Sequence, residues 1–138
     1  MIEKFSDYET GFLATEGTFT FEITDYELTE GKEYPTAKFN VKSSAGTTTI
    51  WHSLSPKARW SYNKLIKCCL ELNTAEKIEN FECDYELVGH TLIGTKFKGR
   101  VERQYYDKTI KVQNDDGTFS EAVESRESFK IVEYDFVS

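Results

Sequence analysis

The stretch SPKARWSYNKLIKCCLELN, residues 55–73, decides how the rest of the chain is read. Ser55 stands where a helix cap is wanted, and Pro56 stands at the first helical position, where a missing N–H costs nothing. From there Tyr62, Leu65, Ile66, Cys69 and Leu72 recur at helical spacing, which predicts a helix over residues 56–72 with one apolar face.

Outward from this helix the period changes to two. In GTFTFEITDYELTEG, Phe19, Phe21 and Ile23 alternate with Thr18, Thr20, Glu22 and Thr24, the signature of a half-buried strand. In EYPTAKFNVKS, Ala37, Phe39 and Val41 alternate with Lys38, Asn40 and Lys42, and SSAG turns the chain into TTTIWHSLS. After the helix a short helical turn is expected at residues 75–81. LVGHTLIGTKFKGRVERQYY then reads as a long strand with breaks at Gly89, Gly94 and Gly99. QNDDGTF supplies a hairpin tip, and ESFKIVEYDFV, with Phe129 and Ile131 flanking Lys130, closes the fold.

Three strands, a helix and further strands is the chain order of an OB-fold. A sandwich of this length shows strands at regular spacing without so long a helix among them. The expected class is therefore mainly β: an OB-fold-like five-stranded barrel with an α-helix between strands three and four and an extended C-terminal hairpin. Its core should hold Phe19, Phe21, Ile23, Phe39, Val41 and Leu65. At 138 residues, with 38 % apolar and 14 % aromatic content, one core and one domain over residues 1–138 is the expectation. No apolar run approaches the roughly 20 residues that cross a bilayer. MIEKFSDYETGF has neither a basic start nor an apolar signal core, so a cytoplasmic protein is expected.

The net charge of −7 is unevenly distributed. Residues 36–70 contain no aspartate or glutamate but carry Lys38, Lys42, Lys57, Arg59, Lys64 and Lys67, a local +6 that leaves −13 for the rest. A second acid-free run, TLIGTKFKGRV at residues 91–101, adds Lys96, Lys98 and Arg100. If the two runs meet, they form one positive surface on an acidic body. Carboxylates on such a wall would repel phosphate inside the Debye length of about 8 Å, so their absence suits a groove for a polyanion.

Four blocks in this order, GTFTFEITDYELTEGKEYPTAKFNV, TTTIWHSLS, SPKARWSYNKLIKCCLEL and ELVGHTLIGTKFKGRVE, resemble an OB-fold single-stranded-DNA-binding family of small phage proteins encoded beside replication and recombination genes. The resemblance covers residues 17–106 and rests on the pattern of strands, helix and glycines; beyond Gln104 the chain departs from a compact version of it. It implies binding of single-stranded DNA without sequence preference, no enzymatic activity, residence in the host cytoplasm, and partner enzymes such as a phage recombinase, primase or helicase. A homo-oligomer is left open.

Single-strand binding needs cations along the phosphates and aromatic faces for the bases. Lys38, Lys42, Lys57, Arg59, Lys96, Lys98 and Arg100 are the candidate cations; Tyr34, which shares the parity of Lys38, Trp51, Trp60, Tyr105 and Tyr106 are the candidate stacking residues. Each has a plainer alternative. Trp51 either stacks on bases or caps the barrel, Trp60 is read as packing onto the barrel end, and Lys64 and Lys67 as a solvated helix face. Lys96, Lys98 and Arg100 form either a binding ladder or a charged guard on an edge strand.

Cys68, Cys69 and Cys83 form neither a CxxC nor a ligand set, and His52 and His90 lack partners at ligand spacing, so no cofactor or metal is expected. No GxxxxGK[ST], HExxH or GxSxG motif occurs. The rival reading is an acidic phage protein-interaction module, an inhibitor or assembly factor docking on a host or phage enzyme. It draws on the nine acids of residues 1–35, opposed only by Lys4 and Lys32. The terminal IVEYDFVS is either a docking tail or, as its alternation suggests, a last strand.

Overall fold

The computed structural model describes residues 12–137; all of the stretch read above for a leader except Phe12 lies outside the described residues, as does Ser138. Strands β1 (Gly17–Thr29), β2 (Thr36–Ser43) and β3 (Gly46–Ser53) are followed by helices α1 (Arg59–Cys69), α2 (Ala75–Glu79) and α3 (Val88–Leu92), then by β4 (Lys96–Gln113) and β5 (Phe119–Asp135). The strands form one antiparallel sheet in the order β3-β2-β1-β4-β5.

The mainly β, five-stranded architecture is present, but the sheet is not closed into a barrel: β3 and β5 are its two edges. It curls far enough for those edges to meet through side chains. His52 Nε2 on β3 lies 2.7 Å from the Tyr134 hydroxyl on β5, and α1 contacts β3, β4 and β5. Curling is helped by a bulge in β1 between Ile23 and Asp25 and another in β5 at Val132, where Arg100 pairs with Glu133 but Val101 pairs with Ile131.

Alternation translates directly into burial. Phe21, Ile23, Phe39, Val41 and Leu65 are buried as their periodicity predicts, and the Tyr62 ring sits between Phe39 and His52. Phe19 is only half-buried, because its ring lies at the open start of β1 against Gly17.

The helices depart from expectation in two places. Ser55 and Pro56 form a turn, with the Ala58 N–H donating to the Ser55 carbonyl at 3.1 Å, and α1 starts only at Arg59 with no side-chain cap. It ends at Cys69, since Glu71 adopts a positive φ of 55° and breaks the ladder before Leu72. Residues 88–92, expected as strand, are helical. The Asp84 carbonyl accepts the Val88 N–H at 2.8 Å, its carboxylate accepts the Glu86 N–H at 2.9 Å, and Val88 and Leu92 bury one face of a single turn. Gly89 permits this: a Cβ there would lie 2.2 Å from the Tyr26 ring. The short turn after Asn73 is present as α2, capped by Thr74, whose hydroxyl accepts the Lys77 N–H at 3.2 Å.

β1 pairs with β4 only up to Val101, so beyond that point β4 and β5 continue as a two-stranded arm to the Gln113–Phe119 pair. The tip at residues 114–118 is the turn expected from QNDDGTF, with Gly117 at φ 86°. No helix among the described residues is long and apolar enough to cross a membrane.

Candidate nucleic-acid interface

The pleat puts Lys38, Asn40 and Lys42 of β2 on the outer face, paired with Trp51, Thr49 and Thr47 of β3. Across β1 the same face receives Lys96, Lys98 and Arg100 of β4, which pair with Glu22, Thr20 and Thr18. The two acid-free runs therefore share one curved surface, with β1 between them.

Trp51 does not cap the fold. It is 56 % exposed, and Lys38 Nζ lies 5.2 Å from the centroid of its ring. A cation held over an indole on a neighbouring strand is worth about 0.5–1 kcal/mol at an exposed site and keeps the ring presented to solvent.

The surface is not free of carboxylates, and here the expectation of an acid-free wall is overturned. The register brings Glu27 opposite Lys38 and Glu22 opposite Lys42, with Nζ–O distances of 4.0 and 3.9 Å. Arg100 donates to Glu133 at 3.1 Å and to Glu102, and these hydrogen bonds hold its guanidinium above its ordinary range. Arg100 is thus engaged within the sheet. Lys96 and Lys98 have no carboxylate within 4.0 Å among the described residues.

The remaining candidates scatter. Tyr34 is half-exposed on the bend before β2, so strand parity does not govern it. Lys57 is exposed in the turn before α1. Arg59 is directed away from the outer face: its guanidinium lies 4.8 Å over the Tyr85 ring, whose hydroxyl donates to Asn63 Oδ1 at 2.8 Å. Tyr105 and Tyr106 lie on opposite faces of the arm. Trp60 corrects the expectation that it packs on the fold, being 75 % exposed because Tyr62, Leu65, Ile66 and Cys69 take the buried side of α1.

The other reactive groups are structural. His52 is buried, and desolvation lowers its pKa from 6.5 to about 4, which keeps the ring neutral at physiological pH as it meets the Tyr134 hydroxyl. His90 packs edge-on against Tyr26. Burial pushes the Cys69 thiol up to about 12 and raises Cys68, leaving thiols that do not ionise at neutral pH. No group of histidines, cysteines and acids suited to a metal occurs among the described residues.

Two features escaped the sequence. The glutamates of β1 face the lysines of β2 only because of a register that includes the bulge after Ile23. The exposed Trp60 shares its helix face with Lys64 and Lys67, and their i, i+4, i+7 spacing was the available signal. No protein-family model matches the chain, and no curated protein matches it significantly.

Proposed function

We propose that this protein binds single-stranded DNA without sequence preference, serves phage DNA replication or recombination as the resemblance implies, and catalyses nothing. The observation that carries the reading is the outer sheet face, where the exposed Trp51 indole under Lys38 shares a surface with Lys96 and Lys98, neither of which has a carboxylate within 4.0 Å among the described residues. That pairing of an aromatic platform with free cations is what a single strand uses, bases on the ring and phosphates on the ammonium groups. The five-stranded order with a helix before β4 supports an OB-like identity for the open sheet.

The test is titration of a labelled oligothymidine. Binding that weakens with salt, and weakens further in a Lys96→Ala/Lys98→Ala double variant, supports the reading; equal binding by that variant removes the sheet face from it.

A second reading, the protein-interaction module, draws on the arm. Tyr105, Phe119 and Val123 share one of its faces and are each at least 67 % exposed, and a two-stranded ribbon uncovered on both faces is marginal in water. This reading requires no affinity for oligothymidine at any salt concentration.

A further inference from the structure

Trp60, Lys64 and Lys67 of α1 face residues 131–134 of β5 across a groove of about 330 Å³. The three side chains repeat at i, i+4 and i+7, so they lie along one stripe of the helix, about 10 Å long. Trp60 is the most exposed tryptophan of the chain at 75 %. Val132, the extra residue of the β5 bulge, is turned from the core and forms part of the groove's apolar floor with Ile131.

Charge distinguishes this groove from the outer face of β2. Lys64 and Lys67 have no carboxylate within 4.0 Å among the described residues, and the one acid in the groove wall, Glu133, is bound by Arg100. Lys64 Nζ lies 6.0 Å from the centroid of the Phe136 ring. An exposed indole, an aliphatic floor and two unpaired ammonium groups are the complement of a base with phosphates on either side. An acidic peptide would share the charge preference, but its best anchorage is addition to the free edge of β5, and the bulge at Val132 interrupts the hydrogen-bonding edge there. The groove also adjoins the strand that carries part of the proposed interface, since β5 pairs with β4 and Glu133 of the groove wall stands opposite Arg100, two residues from Lys98.

We infer that the groove between α1 and β5 is a nucleotide subsite for single-stranded DNA, with Trp60 as the stacking platform and Lys64 and Lys67 as the phosphate contacts. This subsite presupposes the single-strand binding proposed above and moves part of the contact from the sheet to α1.

Two measurements test it. Trp51→Phe leaves Trp60 as the sole indole, since the chain has two tryptophans. Oligothymidine should quench its emission along the same curve that labelled oligothymidine gives by anisotropy. In the otherwise unaltered chain, Trp60→Ala and the double variant Lys64→Glu/Lys67→Glu should each weaken binding by about tenfold with thermal midpoints preserved. Anisotropy binding without quenching, or wild-type affinity in both variants, overturns the subsite while leaving the proposed function standing. Failure of the wild-type chain to bind oligothymidine at any salt concentration overturns both. Quenching of Trp60 by a glutamate-rich peptide that oligothymidine does not displace assigns the groove to a protein partner and overturns the subsite.

Discussion

On β2, Lys38 and Lys42 stand opposite Glu27 and Glu22 of β1, whereas Lys96 and Lys98 on β4 and Lys64 and Lys67 on α1 have no carboxylate within 4.0 Å among the described residues. All six lysines belong to acid-free runs of the chain. The neighbour across the ladder does not make the difference, since Lys96 pairs with the same Glu22 and Lys98 with Asp135 of β5; what differs is which ammonium group a carboxylate reaches, and that of Glu22 lies 3.9 Å from Lys42. An exposed Lys–Glu pair is worth only about 0–1 kcal/mol, so these pairs do little for stability. They do cancel locally the field that a phosphate would meet, which makes the free lysines the better phosphate contacts.

The largest effect would break the ground common to both regions. Phe39 is fully buried beneath the outer face and packs against Tyr26 and Tyr62, so Phe39→Ala should cost about 3–5 kcal/mol in urea unfolding. An unchanged unfolding midpoint would mean that the outer face does not stand on this core.

Next in size is the contact that brings the edges of the sheet together. His52 has a folded-state pKa of about 4, below its ordinary 6.5, so the unfolded chain binds the proton first. Stability is full above pH 6.5 and falls as pH drops toward 4, by roughly 3 kcal/mol across the window. Urea unfolding at several pH values should show this loss, and His52→Gln should remove most of it. An equal pH dependence in the variant would place the titration elsewhere.

The comparison itself is sharpened by paired alanine substitutions. Lys96→Ala/Lys98→Ala should lower the salt slope of oligothymidine binding by about 1.4, or 0.7 for each phosphate contact. Lys38→Ala/Lys42→Ala should lower it by less. Equal effects would show that the glutamates of β1 do not compensate their partners. The smallest effect is the converse: Glu22→Gln/Glu27→Gln should tighten binding by less than about fivefold, within the range of an exposed ion pair.

Periodicity carried most of the architecture, since alternation at Phe21, Ile23, Phe39 and Val41 and helical spacing at Tyr62, Leu65 and Ile66 each marked a side that is buried. The turn at α3 was hidden because Val88 and Leu92 make only one helical repeat, and its start depends on the Asp84 hydrogen bonds. Closure was not legible either. Whether β3 and β5 pair depends on accumulated twist and on two bulges, and the sheet stops at a side-chain contact between His52 and Tyr134. Within the candidate interface, the lysines and Trp51 could be assigned to one face by parity, but their glutamate partners follow from inter-strand register, which no single strand encodes. Trp60 was misplaced because an isolated tryptophan beside an apolar stripe reads as its margin.

The central claim, phosphate neutralisation by free lysines, is tested most directly by oligothymidine titration of the unaltered chain over a series of salt concentrations. The account predicts that log affinity falls linearly with log salt, at a slope of about 0.7 for each phosphate contacted, and that duplex DNA binds less well. An affinity that ignores salt, or a preference for duplex, would contradict it.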